Sequence, residues 1–349
     1  MTRVRRRTSL LVVGALALGS GTAALAPSAA TGASAAPATI LRPASVPGIM
    51  ARYVSVNNRA NATLSSPLLA SIETGAAFTM DDASYTVDRA AGNPTLDGKT
   101  YYPFYAHVLS RSVPTEHHYP LRFAVASREI PSASDPARVR PCATNSGIFD
   151  FVKSSAAAPW RIDLEPYLPV AAAMPDFAVS PSGYGQIVAA SKLATSPARL
   201  AAEIVAGLVR DSASGDPAPM PTGDFTSGIC RLSLLNPHEL VAYGPAHALT
   251  ITFAAVPFKT ANDVAYALRG GSSLVLLNVE ESETARSVRS NGYVTWAQSP
   301  SQPDTYFLPA GRYPAVTESY LQELAVVEPP TGSTFKVVGS YWAMIGAAS

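Results

Sequence analysis

Apolar positions early in the chain recur at helical spacing. Ile49, Tyr53, Val56 and Ala60 follow one another at intervals of four, three and four, which predicts a helix opening near Pro47 with those residues on one face. Asn57, Asn58 and Asn61 then fall on the other side or at the helix end. Ser66 followed by Pro67 is a cap and first-turn signal for a second helix whose stripe is Leu68, Leu69 and Ile72, with Gly75 as its stop. Phe78, Ala83 and Tyr85 mark a third helical piece before a polar loop over 91–99. Beyond that loop the period becomes two, and strands are predicted over 102–109, 121–126, 147–153 and 160–164. In the last of these Trp160, Ile162 and Leu164 alternate with Arg161 and Asp163, the pattern of one buried and one wet face.

The second half repeats this order. Residues 166–175, rich in proline and alanine, form the connection; Ser196-Pro197 then opens a helix carrying Leu200, Ile204 and Leu208. Strands are predicted near 231–235, 247–256, 274–280 and 321–328, with a closing strand over 334–345. Helices followed by consecutive antiparallel strands make an α+β class. The hairpin that ends in Pro159-Trp160-Arg161-Ile162 resembles the cystatin-like architecture shared with nuclear transport factor 2. The expected fold is two tandem cystatin-like domains, each with helices packed on a curved antiparallel sheet. A resemblance at this level implies no activity. The expected divisions are a signal peptide over 1–35, a flexible leader over 36–45, a first domain over 46–165, a linker over 166–175 and a second domain over 176–349.

The signal peptide rests on Arg3, Arg5, Arg6 and Arg7 ahead of a short apolar run from Leu10 to Leu18, with Ala33-Ser34-Ala35 as the cleavage pattern and Ala30 as an earlier option. The apolar run is too short to span a membrane. No cysteine follows it closely, so release is expected rather than lipid anchoring. Losing four arginines leaves 22 basic against 25 acidic residues, a formal charge of −3. Thinly spread charge of that sign argues against a nucleic-acid partner, which demands a concentrated basic face. A mature chain of this length is expected to form two cores. Cys142 and Cys230, one in each half, pair as a disulfide in an oxidising compartment or stay as two buried thiols.

Asn57-Asn58 with Ala60-Asn61, Ile72-Glu73-Thr74-Gly75, Tyr119-Pro120 leading into Phe123-Ala124-Val125, Gly183-Tyr184, Ser196-Pro197-Ala198 and Val327-Glu328-Pro329-Pro330-Thr331-Gly332 occur in that order. In this order they resemble a family of exported proteins and lipoproteins of high-GC Gram-positive bacteria whose function is unknown. The resemblance implies location and architecture and carries no biochemistry.

Familiar catalytic signatures are missing: there is no HExxH, CxxC, lysine-bearing phosphate loop or GxSxG elbow in the mature chain. Glu116-His117-His118, with His107, lacks metal-ligand spacing and reads as solvated loop. His238-Glu239 reads as a polar turn. Asn58, Asn61 and Glu73 are candidate ligand-binding residues, because amides donate and accept and a glutamate facing them would form a site; the competing reading is helix capping. Tyr293 and Trp296 lie in an aromatic and polar stretch over 289–313 that serves either as a binding surface or as padding pinned by buried rings. Glu280, Glu281 and Glu283 read as a solvated strand end. No catalytic residue, metal or cofactor is assigned. The expected role is a non-catalytic module at the cell envelope binding a protein or small ligand, the alternative a hydrolase using Glu73 or His118 as base.

Overall fold

Helical spacing in the first third of the chain is realised as three helices: α1 (Val46–Thr63), α2 (Ser66–Ala70) and α3 (Gly75–Ala90). The computed structural model describes residues 41–92, 105–130, 146–168, 174–214, 249–257, 263–299, 303–331 and 335–349, all within one unit spanning 37–349. The buried stripe of α1 is Val46, Met50, Tyr53, Asn57 and Ala60. Asn57 therefore lies on the buried face, against expectation, because the stripe starts at Val46 and not at Ile49. Ser65, one residue before the expected Ser66, caps α2 by accepting from the Leu68 N–H at 3.4 Å. Gly75 does not stop a helix but opens α3, with a φ of 58°. The end of the expected flexible leader is structured. Pro43–Ser45 is a 3-10 turn and Leu41 packs on the core under α1.

The strands of the first half are β1 (Tyr105–Ser112), β2 (Leu121–Ile130), β3 (Ser146–Lys153), β4 (Arg161–Leu164) and β5 (Tyr167–Leu168). The second half supplies α4 (Pro197–Ser214), then β6 (Leu249–Pro257), β7 (Val264–Ala267), β8 (Ser273–Ser287), β9 (Val294–Trp296), β10 (Gly311–Tyr313), β11 (Ala315–Glu328) and β12 (Lys336–Ala348). The expected strand near 231–235 lies outside the described residues. β5 and β7, too short to show a period, and the small β9 and β10 are the strands that patterning missed.

The α+β class stands. The strands of both halves are nevertheless hydrogen-bonded into one ten-stranded sheet, ordered β1-β2-β3-β5-β12-β11-β8-β6, with β4 on β3 and β7 on β8. The halves join at β5, inside the stretch expected to be a linker. β5 pairs with β3 at two positions and with β12 at one, Tyr167 opposite Ser340. Gly339 allows that approach, since a β-carbon there would sit 2.7 Å from the Tyr167 carbonyl oxygen.

Both faces of the inner strands β3, β8 and β11 are covered over long stretches, which is why these are apolar at successive positions, while the edge strand β1 keeps an alternating exposed face. On one face Phe123, Val125, Phe149, Phe151 and Ile162 pack with α1; Phe123 and Phe151 stack with ring centres 4.7 Å apart. On the other, Ala124, Ala126 and Ile148 share a core with Leu274, Leu276, Leu321 and Ala325 of the second half. Strands far apart in the hydrogen-bonded order therefore meet across one core, so the sheet curls around it. A separate core under α4 holds Leu200, Ile204, Leu277 and Leu324.

Candidate functional site

Strand alternation places three polar residues into that enclosed space. Along β11, Leu321, Glu323 and Ala325 point to one face, and Glu323 stands opposite Asn278 of β8 and Tyr341 of β12. Glu323 is fully buried. Its Oε2 accepts the backbone N–H of Glu165 at 2.5 Å, while Oε1 has no hydrogen-bond partner among the described residues. The Tyr341 hydroxyl donates to Asp81 of α3 at 3.3 Å.

From the helical side, the turn between α2 and α3 delivers Glu73, buried to 1% exposure. Asn57 Nδ2 donates to Glu73 Oε1 at 3.1 Å and to the Tyr53 hydroxyl oxygen at 3.3 Å. Tyr53 in turn donates to Glu165 Oε2 at 3.0 Å, with Glu73 Oε1 farther away at 3.4 Å. Tyr167 donates to Glu165 Oε1 at 2.6 Å. Asn61 Nδ2 donates to Asn57 Oδ1 at 2.7 Å, and the Tyr85 hydroxyl donates to Asn61 Oδ1. Four carboxyls, those of Glu73, Asp81, Glu165 and Glu323, thus meet a set of tyrosine hydroxyls and amides.

Burial, the largest influence, pushes Glu73 well above the carboxylic-acid range, and Asp81 and Glu165 push it further. Glu323 is raised for the same first reason. Asp81, half-buried as a residue with its carboxyl turned inward, is raised by burial to about 6. Tyr53 and Tyr341 are held well above 10.0, first by burial and then by the carboxyls around them. Among the described residues no group of three or more His, Cys, Asp and Glu side chains is arranged to hold a metal ion.

A second polar centre contains a cation. Arg122 of β2 forks to Asp150 of β3 and to Asp163 of β4, the latter at 2.6 Å, and Tyr266 of β7 donates to Asp150 at 2.5 Å. Asp163 is buried, correcting its expected wet position, because Arg122 covers that face. Burial raises Asp150 to about 7 against the pull of Arg122, whose own charge the two carboxyls hold in place. Glu116 accepts the backbone N–H of Arg122 at 3.1 Å; His107, His117 and His118 are exposed.

Of the residues selected from sequence, Asn61 and Glu73 are joined through Asn57. Asn58 is half-buried beside them. Tyr293 and Trp296 sit on the β9 and β10 hairpin instead. Tyr293 is 52% exposed with the Arg312 guanidinium 5.2 Å from its ring centre, and Trp296 is pinned by its Nε1 donating to the Thr305 carbonyl at 2.7 Å. Glu281 is buried within β8, against its expected solvated position. Cys142, Cys230 and His238 lie outside the described residues. A cleft of about 170 Å³ opens elsewhere, lined by Lys192, Leu193, Leu268, Ser272, Glu328 and Pro330. Tyr53, Asp81, Glu165 and Glu323 were missed. The signal for Glu323 was an isolated charge on the inward phase of an apolar strand.

The model of one family, described as a domain of unknown function (DUF8094), matches residues 37–349. The chain belongs to that family. No curated protein and no solved structure matches it. No helix among the described residues is long and apolar enough to cross a membrane.

Proposed function

We propose that this member of the family is an exported, non-catalytic binding module of the cell envelope, built from two cystatin-like halves, that engages a protein partner through the β9 and β10 hairpin. The observation that carries the binding role is Tyr293, a half-exposed aromatic held under Arg312 on a hairpin braced from behind by Trp296 to Thr305 and by Gln298 Nε2 to the Leu308 carbonyl at 3.1 Å. Rigid aromatics with an adjacent guanidinium bind at low entropic cost. Export is supported by the basic and apolar start of the chain and by a family match that begins two residues beyond Ala35. Two related halves are supported by their order: in each, helix precedes an antiparallel run, β1-β2-β3 in the first and β6-β8-β11-β12 in the second. Capture from envelope extracts with the mature chain, against a hairpin-scrambled control, tests the role; no reproducible partner above the control rejects it.

The hydrolase reading draws on Glu73 as base, since burial raises the proton affinity of its carboxyl, as general-base chemistry near neutral pH requires. A substrate screen in which Glu73→Gln abolishes an activity would favour it, and an activity unchanged by that substitution removes the residue.

A further inference from the structure

The Glu73 centre is built from both halves of the chain. Tyr53 and Asn57 come from α1, Asp81 from α3, Glu165 and Tyr167 from the segment around β5, Glu323 from β11 and Tyr341 from β12. Asn278 of β8 faces Glu323 from the next strand, and Asp163 of β4 adds its charge at Glu323. The charges that bear most on Glu73 are Asp81, Glu165 and Glu323. Those on Glu323 are Glu165, Asp81 and Asp163. All are acidic. The nearest contrast is Asp150 and Asp163, which share the Arg122 guanidinium.

Tyr53 has one hydroxyl hydrogen for two carboxylate oxygens, and it goes to Glu165, the closer. Among the described residues Glu73 is left with the Asn57 amide on Oε1 and nothing on Oε2, and Glu323 has the Glu165 N–H on Oε2 and nothing on Oε1. An ionised carboxyl with a bare oxygen in a buried site is strongly disfavoured, and a proton removes the charge that burial penalises. Meanwhile the backbone joints between the halves are short: the two-residue β5 meets β12 at one position, and Pro114 bridges Gly185, whose N–H donates to the Val113 carbonyl at 3.0 Å. Beside the apolar core that the halves share and the Tyr266 and Asp150 hydrogen bond, the Glu73 centre ties them through the Asp81 and Tyr341 hydrogen bond, the Glu165 and Glu323 hydrogen bond, and the edge contact of the Tyr167 and Tyr341 rings at 5.1 Å.

We infer that Glu73 and Glu323 are a proton-binding pair that fastens α3 of the first half to β11 and β12 of the second while protonated, and that loss of these protons in alkaline solution loosens this joint. The inference is independent of any partner on the hairpin. Deprotonation places negative charge beside Asp81 and Glu165, where the charges bearing on Glu73 and Glu323 among the described residues are acidic, and separation of α3 from β12 is the movement that lets water reach the carboxyls.

Hydrogen exchange of the mature chain at pH 6 and pH 9, corrected for intrinsic exchange rates, tests it. Peptides over 75–90 and 336–348 are expected to lose at least about tenfold in protection between the two pH values, while peptides over 121–128 keep theirs. The Glu73→Gln, Glu323→Gln double variant, neutral at both positions, is expected to stay protected at pH 9. Unchanged protection in the wild-type chain, or the same loss in the double variant, overturns the inference. Should the double variant fail to fold, proton release on unfolding the wild-type chain at pH 7 decides. Asp81 and Asp150 contribute protons at that pH as well, so release that falls in each single variant, Glu73→Gln and Glu323→Gln, upholds the proton-bound pair, and release unchanged in both overturns it.

Discussion

Gly75 lies so close to Asp163 that a β-carbon on it would overlap the Asp163 Oδ1 atom. The same glycine has a φ of 58°, in the left-handed region, so a side chain is opposed both by backbone preference and by its neighbour. Gly75→Ala is expected to destabilise the fold by about 2–4 kcal/mol, combining the conformational and overlap costs. Urea denaturation reads this as a lower midpoint at an unchanged slope. A midpoint equal to wild type would show that Asp163 yields freely.

Asp163 has little freedom to yield, because Arg122 holds it together with Asp150. Arg122→Met leaves two buried carboxyls without their cation, and is expected to cost about 3–5 kcal/mol. Arg122→Lys is expected to recover only part of this, since an ammonium cannot fork to both carboxyls. Thermal unfolding of the two variants side by side checks the order; a lysine variant as stable as wild type would reduce the fork to simple charge.

How much of this was open to inspection in the sequence follows from where each signal resides. Helix and strand periods are local, and they placed α1, α3, α4 and the long strands β8, β11 and β12. The candidate role of Glu73 was also visible, as a lone acid in an apolar turn beside three asparagines. Its partners were not, because Glu165 and Glu323 lie 92 and 250 positions further on and meet it only once the sheet has curled. Asp163 was misjudged for a related reason: alternation distinguishes two faces but cannot tell whether the second is covered, and here an arginine from another strand covers it. The joint at β5 was hidden by composition, since proline and alanine in 166–175 read as linker while two residues among them carry the sheet across.

Asp81 gives the pH dependence a separate handle. Its carboxyl titrates near 6 in the folded state against an ordinary value of 3.8, so the folded chain holds this proton more tightly than the unfolded one. Below the lower value both states carry it and it contributes no slope. As pH rises through the window between them the unfolded state gives up its proton first, so stability falls, and above about 6 the full cost remains. The slope is at most about 1.4 kcal/mol per pH unit and is reduced where solvent reaches the residue. Asp81→Asn retains an oxygen for the Tyr341 hydroxyl and removes the titration. Its stability at pH 7 is expected to exceed that of wild type, with the two converging near pH 4. Denaturation at both pH values checks this, and parallel curves would exclude Asp81 as a titrating group.

On the hairpin, stability and binding should separate. Tyr293 is half-exposed and Arg312 exposed, so Tyr293→Ala with Arg312→Ala is expected to change stability by no more than about 0.5 kcal/mol. Trp296→Ala removes both a ring and the hydrogen bond to Thr305, and is expected to cost about 1–2 kcal/mol while loosening the hairpin. If the hairpin is the binding surface, the surface pair weakens capture of an envelope partner by about tenfold or more, on the scale of an aromatic anchor. The tryptophan variant weakens it too, but by loss of preorganisation, so stapling 294–296 to 311–313 with an engineered disulfide restores capture by Trp296→Ala and not by the surface pair. Capture measured by surface plasmon resonance separates these outcomes, and full capture by the Tyr293 and Arg312 variant would move the binding surface off the hairpin.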